Sequence, residues 1–105
     1  MSIYLSKLKI IQGRFKVKLT REEYEEQAVY HANKMKDTPG LIWKIWAFDD
    51  EKNEAMGIYF FRDDRMAQLV YDGMDPKTLG EDVYDVDFRL WDVQEELCRL
   101  NNVPL

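Results

Sequence analysis

Several residue types are scarce in this chain of 105 residues, and each scarcity excludes a class of protein. The single cysteine, Cys98, excludes an internal disulfide and a multi-cysteine metal cage, and its apolar surroundings predict a buried, unreactive thiol. The single histidine, His31, leaves too few ligands for a transition metal, so we predict no metal site. The five glycines do not form a phosphate-binding loop, and no motif indicates flavin or haem, so we expect no cofactor.

Long apolar runs and basic clusters are also missing. No segment approaches the ~18 consecutive apolar residues of a membrane-spanning helix, and no basic region followed by an apolar run marks a signal peptide. The net charge is −5, with lysines and arginines scattered among carboxylates, which argues against nucleic-acid binding. We therefore predict a cytoplasmic protein that binds neither membranes nor nucleic acid.

Aromatic residues, in contrast, are abundant: three Trp, six Tyr and five Phe. Hydrophobic residues make up 46% and charged residues 33% of the chain, the composition of a folded globular protein. The length suits one modest core, so residues 1–105 are predicted to form a single domain. Because aromatic side chains serve both core packing and small-molecule sites, their excess alone favours neither use.

Hydrophobic periodicity predicts the order strand, helix, strand, strand, helix, strand. Thr20 and Glu23 form a capping box ahead of a helix at residues 21–36. The predicted strands span residues 3–11, 41–48, 55–61 and 83–91, and a short terminal helix spans residues 94–100. The second helix, of about ten residues, starts at Asp63 or Asp64. The predicted inward residues of the two main helices are Tyr24, Ala28, His31 or Ala32, Met35, Met66, Leu69 and Val70.

This order is that of the ferredoxin-like fold, an α+β class with a four-stranded antiparallel sheet and two helices on one face. In that arrangement the first and last strands lie side by side. Lys7 and Lys9 of the first strand are then predicted to face Asp85 and Asp87 of the last, because opposite charges stabilise a ladder.

Both faces of the hairpin at residues 41–61 are apolar. The second strand has Leu41, Trp43, Ile45 and Ala47 on one side and Ile42, Lys44, Trp46 and Phe48 on the other; the third has Ala55, Gly57, Tyr59 and Phe61 on one side and Met56, Ile58 and Phe60 on the other. Two helices cover only one face of such a sheet, and an exposed apolar patch usually marks an interaction surface. We predict that a second copy of the chain covers the other face in a homodimer. The alternative cover is the terminal segment, folded back.

The hairpin sequence resembles a known family. Residues 40–46 (GLIWKIW) and 53–61 (NEAMGIYFF) are similar to the monooxygenase family typified by YdhR, and residues 90–95 (LWDVQE) resemble that family's closing segment. The resemblance covers most of residues 39–105. Met56 and Gly57 stand where the family has paired glycines, and the family's histidine after the second helix has no counterpart in residues 72–80. The resemblance implies a dimeric α/β barrel related to cofactor-independent oxygenases, cyclases and proteins of unknown role.

Six residues are candidates for a functional site. His31 and Lys44 are the catalytic candidates, and Trp43, Trp46, Tyr59 and Trp91 are the substrate-binding candidates. A histidine base suits proton abstraction from a phenol, and a desolvated lysine stabilises an enolate or phenolate. The alternatives are a packing role for His31, an ion pair between Lys44 and Glu54, and core packing for at least two of the aromatic residues.

Three functions remain open at this point. The first is a cofactor-independent monooxygenase of an aromatic or polyketide-like molecule, in which the substrate anion reduces oxygen inside a dry pocket. The second is a non-redox cyclase or isomerase on the same scaffold, and the third is a non-catalytic small-molecule-binding dimer. Fold alone does not separate them. An enclosed cavity with His31 pointing in favours an enzyme, and a solid core favours the third.

Overall fold

The computed structural model describes residues 7–105 and contains a four-stranded antiparallel sheet in the order β2-β3-β1-β4. The elements are β1 (Lys9–Val17), α1 (Arg21–Met35), β2 (Leu41–Asp49), β3 (Glu54–Phe61), α2 (Asp64–Asp72), a 3₁₀ turn (Pro76–Leu79), β4 (Val83–Asp92) and α3 (Glu95–Leu100). The predicted α+β ferredoxin-like arrangement is confirmed. Within the described part of the chain, no helix has the length and apolar character needed to cross a membrane.

Side-chain caps set the starts of the two main helices. The Thr20 hydroxyl accepts a hydrogen bond from the Glu23 amide at 3.2 Å, and the Glu23 carboxylate accepts one from the Thr20 amide at 3.0 Å. The Asp63 carboxylate accepts hydrogen bonds from the amides of Arg65 and Met66. Each such cap stabilises a helix by about 1 kcal/mol. The predicted capping box is confirmed, and it fixes where α1 begins to cross the sheet.

The core lies between α2 and the sheet. Ile11, Phe61 and Ala67 are fully buried and contact one another. Partly buried side chains surround them: Leu41, Tyr59, Met66, Val70, Tyr71, Met74 and Leu90. The prediction that Leu69 faces inward is wrong, because this side chain is 65% exposed. The buried stripe follows residues 66, 67, 70 and 71, and helical geometry turns residue 69 away from it.

Strand β1 starts later than its sequence pattern predicted. The prediction was residues 3–11, of which 3–6 lie outside the described residues, and the strand runs from Lys9 to Val17. It continues through Gly13, a residue type that usually weakens a strand. Here the absence of a side chain is required, because a Cβ at Gly13 would lie 2.9 Å from the Phe88 ring. Close contact between β1 and the Phe88 ring of β4 therefore explains why β1 continues beyond its predicted end at residue 11.

The later start of β1 changes its charge pairs. The predicted pairing of Lys7 and Lys9 with Asp85 and Asp87 is wrong, because Lys7 precedes the strand. The ion pairs between β1 and β4 are Lys9–Asp92, Arg14–Asp87 and Lys16–Asp85. These pairs are largely exposed, so solvent screening leaves each with only a small effect on stability. Opposite charges therefore do face each other across β1 and β4, but the residues that pair differ from the predicted ones.

The sheet face opposite the helices, which we call the outer face, is apolar in the hairpin. It carries Trp43, Ile45, Ala47, Met56, Ile58 and Phe60, which alternate with the helix-facing residues of β2 and β3. The Trp43 and Phe60 rings stack at a centroid distance of 4.6 Å. Ile45 remains 48% exposed within one copy of the chain. The homodimer stays a prediction that this surface supports.

We expect the chain to sediment as a dimer and Ile45→Lys to shift it towards single copies, because the charge would be buried between two apolar sheets. Leu69→Lys is the matched control, since Leu69 is exposed on α2, on the other side of the sheet. Sedimentation velocity over a range of concentrations measures both variants. Sedimentation of the unmodified chain as a single copy at high concentration would contradict the prediction.

Candidate active site

A cavity of about 240 Å³ lies between α1 and the helix-facing side of the sheet. A more open cleft of about 360 Å³ lies beside it and shares Tyr24, Ala28 and Trp46. The cavity is somewhat smaller than the roughly 300–1,000 Å³ typical of ligand pockets, and the adjoining cleft would extend it. Although the chain carries a net charge of −5, none of the Asp and Glu residues among the described positions 7–105 lines this cavity. Its surface therefore favours a neutral or anionic molecule over a cation.

Two glycines form the floor of this cavity. Gly13 of β1 and Gly57 of β3 lie directly opposite each other in the sheet. The Phe88 ring lies against Gly13, and the stem of Lys44 crosses Gly57 so closely that a Cβ there would lie 2.7 Å from the lysine Cε. The missing side chains at these paired glycines make room for the Phe88 ring and the Lys44 stem to lie against the sheet.

The amine of Lys44 lies among aromatic groups. Its Nζ donates a hydrogen bond to the Tyr59 hydroxyl at 3.0 Å and lies 3.4 Å from the centroid of the Trp46 ring. The register of the hairpin explains this contact. Lys44 is paired with Tyr59, and Trp46 is paired with Gly57, so the lysine bends across the vacant glycine position towards the indole.

Burial shifts the titration of both hydrogen-bonded groups. It lowers the pKa of Lys44 to about 8, because the cavity disfavours the ammonium form. Burial, together with the nearby Tyr24, raises the pKa of Tyr59 to about 12. Near neutral pH the site therefore contains an amine that releases its proton readily beside a phenol that retains its own. This pair supplies a base and a hydrogen-bond donor at adjacent atoms.

The alternative prediction, an ion pair between Lys44 and Glu54, is wrong. Glu54 instead accepts a hydrogen bond from Arg14 Nη1 at 3.1 Å. The two side chains lie on opposite faces of the sheet, because Glu54 differs in parity from Tyr59, the partner of Lys44. Within residues 7–105 no carboxylate oxygen lies within 4.0 Å of the Lys44 amine.

The structure brings together four of the six predicted site residues: His31, Lys44, Trp46 and Tyr59. The other two lie on the outer face. The Trp43 ring stacks on Phe60 there, and the Trp91 indole donates to Gln12 Oε1 at 3.1 Å and is 48% exposed. The prediction that all four aromatic candidates wall one pocket is therefore not met. The functional roles of the six residues stay predictions.

His31 lies on the cavity-facing side of α1 but is itself exposed. Its ring packs edge-on against Tyr30 at a centroid distance of 5.6 Å. This location places the imidazole at the mouth of the cavity, whereas Lys44 lies at the sheet. A group at the mouth suits capture of a ligand or relay of protons to solvent.

Several lining residues were not among the predicted site residues, notably Gly13, Gly57 and Phe88. A glycine inside a predicted strand is the signal that could have identified the first two, because it often marks close approach of another group. Phe88 follows the ordinary alternation of β4, so its sequence pattern does not distinguish a cavity wall from a core residue.

The thiol of Cys98 is partly buried in α3 rather than fully buried, while its neighbours Leu97 and Leu100 are 56% and 78% exposed. Among the residues that the structure describes, no three His, Cys, Asp or Glu side chains are grouped as a metal site would require. The titratable side chains that line the cavity among the described residues are His31, Lys44, Tyr24 and Tyr59.

Fold and cavity together define a ferredoxin-like α+β protein with an amine-bearing apolar site beneath its first helix. The chain belongs to the family described as "Putative mono-oxygenase ydhR", which matches residues 10–104. This confirms the resemblance seen in the hairpin and extends it to β1 and α1. The chain is thus a member of a monooxygenase family, and its substrate is a separate question.

The fold is shared with a solved oxygenase. The crystal structure of a variant of SnoaB, a cofactor-independent oxygenase from Streptomyces nogalater, is similar to the chain with a TM-score of 0.66 and 17% sequence identity. The similarity covers 85% of this chain and 95% of SnoaB. At this identity it shows a common fold. No curated protein sequence is significantly similar to the chain.

Proposed function

We propose that this protein is a cofactor-independent monooxygenase of a flat aromatic or polyketide-like molecule that bears an ionisable hydroxyl group. Membership in the family supports oxygenase chemistry. One observation carries the assignment of the site: the Lys44 amine has no carboxylate partner within the described residues and is hydrogen-bonded to Tyr59 in a cavity without acidic walls. The homodimer and a cytoplasmic location remain part of this proposal.

Lys44 would act as the base. In its uncharged form it takes the proton of the substrate hydroxyl, and the ammonium that results stabilises the phenolate or enolate beside it. The Tyr59 hydroxyl donates a second hydrogen bond to the same oxygen, and Trp46 packs against the ring. The substrate anion then supplies the electrons that oxygen needs. One oxygen atom enters the substrate, and the other leaves as water with two hydrogens from the substrate.

A second candidate function is a non-redox cyclase or isomerase. The Lys44–Tyr59 pair favours it specifically, since a base next to a protonated phenol moves protons on a carbonyl compound without oxygen. A non-catalytic binding dimer is the third candidate, and the cavity itself would then be the functional feature.

Oxygen consumption with a panel of hydroquinones and anthrones tests the proposal. The unmodified protein is expected to consume oxygen, and Lys44→Met is expected to reduce the rate about 100-fold, a typical loss for a general base. The rate should rise with pH through about 8, because only the uncharged amine accepts a proton. His31→Ala, at the mouth, is expected to have a smaller effect.

The same panel under nitrogen separates the alternatives. Product formed without oxygen would contradict the monooxygenase and support the cyclase or isomerase. Ligand binding without turnover in either atmosphere would support the non-catalytic dimer. A Lys44→Met variant with full oxygen consumption would contradict the assignment of the base.

A further inference from the structure

The Lys44 amine has the surroundings of a nucleophile as well as those of a base. Its contacts are the Tyr59 hydroxyl at 3.0 Å, the Trp46 ring at 3.4 Å and the Met35 sulfur at 4.0 Å. None of these neighbours is an anion that would hold the amine as an ammonium ion. A lysine desolvated in an apolar pocket is the arrangement that activates an amine towards carbonyl carbon.

We propose that Lys44 forms a covalent imine with aromatic aldehydes and ketones that enter the cavity. Gly57 makes room for the lysine stem and Gly13 for the Phe88 ring, so the walls near the amine are the flat rings of Trp46, Tyr59 and Phe88. A planar carbonyl compound therefore fits better than a branched one. The reaction uses the cavity of the proposed function but requires no oxygen, so it stands independently of oxygenase activity.

The hydrogen bond between the two side chains supplies the proton transfers. The nitrogen lone pair attacks the carbonyl carbon, the π electrons move to oxygen, and one proton passes from nitrogen to that oxygen to give a carbinolamine. The Tyr59 hydroxyl then protonates the departing hydroxyl group, which leaves as water, and the second proton on nitrogen returns to the phenolate. The net change is carbonyl plus primary amine to imine plus water, with no oxidation or reduction.

Tyr59 is suited to this role by its protonation state. Burial raises the pKa of its hydroxyl to about 12, so the group remains a donor at neutral pH. The lowered pKa of Lys44 makes part of the amine uncharged under the same conditions. Burial inside the cavity causes both shifts, whereas Lys52 is exposed at the surface.

Reductive trapping with benzaldehyde and sodium cyanoborohydride at neutral pH tests the inference. Cyanoborohydride converts an imine into a stable benzylamine, and peptide mapping by mass spectrometry locates the label. Lys44 is expected to react about tenfold or more faster than the exposed Lys52, because burial lowers the pKa of Lys44 and the cavity holds the aldehyde beside its amine. The amine of Met1 is mapped separately, since it also reacts near neutral pH.

Three variants make the result decisive. Lys44→Arg and Lys44→Met should each lose the fast label while Lys52 keeps its slow one. Tyr59→Phe should slow the labelling of Lys44 and leave Lys52 unchanged. Labelling of Lys44 no faster than that of Lys52 would overturn the inference, as would an unchanged rate in Tyr59→Phe.

The outcome is separable from that of the oxygenase test. Fast labelling of Lys44 under nitrogen, in a protein that consumes no oxygen with any phenol of the panel, would support the imine and contradict the monooxygenase. Oxygen consumption that depends on Lys44 without preferential labelling would support the monooxygenase and contradict the imine.

Discussion

Replacing Phe61 with alanine is expected to lower the free energy of unfolding by about 3–5 kcal/mol. Its side chain has no exposed surface and lies in the core cluster with Ile11 and Ala67. The central strand β3 and helix α2 hold these neighbours in place, so the vacated volume would remain largely empty. Because small domains are stable by about 5–15 kcal/mol in total, this single change removes a large share.

Urea unfolding followed by tryptophan fluorescence measures the loss. Leu69→Ala is the control, since Leu69 is also a large apolar residue of this region but is 65% exposed. Its effect should stay within about 0.5 kcal/mol. Equal losses at the two positions would show that the α2–sheet contact is not the stabilising core.

Gly57→Ala is expected to reduce the rate of oxygen consumption and of Lys44 labelling about 100-fold, with little change in the free energy of unfolding. The added Cβ would lie 2.7 Å from Lys44 Cε and 3.3 Å from its Nζ. The stem of a lysine is flexible, so the protein accommodates the methyl group by moving the amine away from Tyr59. The base and the phenol would then no longer share a hydrogen bond, while the rest of the sheet stays as it is.

The measurement pairs oxygen consumption and Lys44 labelling with a denaturation curve. Gly73→Ala is the matched control, because a Cβ at the end of α2 meets only ordinary contacts at 3.6 Å and lies outside the cavity lining. Unimpaired reactivity in Gly57→Ala would mean that the crossing of Gly57 by Lys44 is not needed to position the amine.

Much of the fold was predictable because local signals agreed with one another. The capping box at Thr20 fixed α1, the polar turn of residues 49–53 fixed the hairpin, and both agree with the structure. The extension of β1 beyond residue 11 was not predictable from apolar content alone. Gly13 interrupts the pattern, and its reason, the Phe88 ring on a strand about 75 residues further along the chain, is a tertiary contact.

The site was predictable only in part. Strand parity places Lys44, Trp46 and Tyr59 towards the helices and Trp43 towards the outer face, and that separation was visible in the sequence. Both faces of the β2–β3 hairpin are apolar. Composition alone therefore did not indicate which of them lies under α1 and lines the cavity. The pocket role predicted for Trp91 overlooked its strand parity, since Trp91 shares a face of β4 with Asp87 and Arg89 and alternates with Leu90 of the core.

Helix α1 has a property that bears on how molecules reach the site: none of its residues is fully buried, whereas α2 anchors its Ala67 in the core. Helix α1, which covers the cavity, is therefore held far more weakly than the sheet beneath it. Its amides should exchange with deuterated solvent well before those of β1, since segments with few buried contacts open at low free-energy cost. Opening of α1 alone would then admit a ligand while the sheet remains intact, and admission would not require global unfolding.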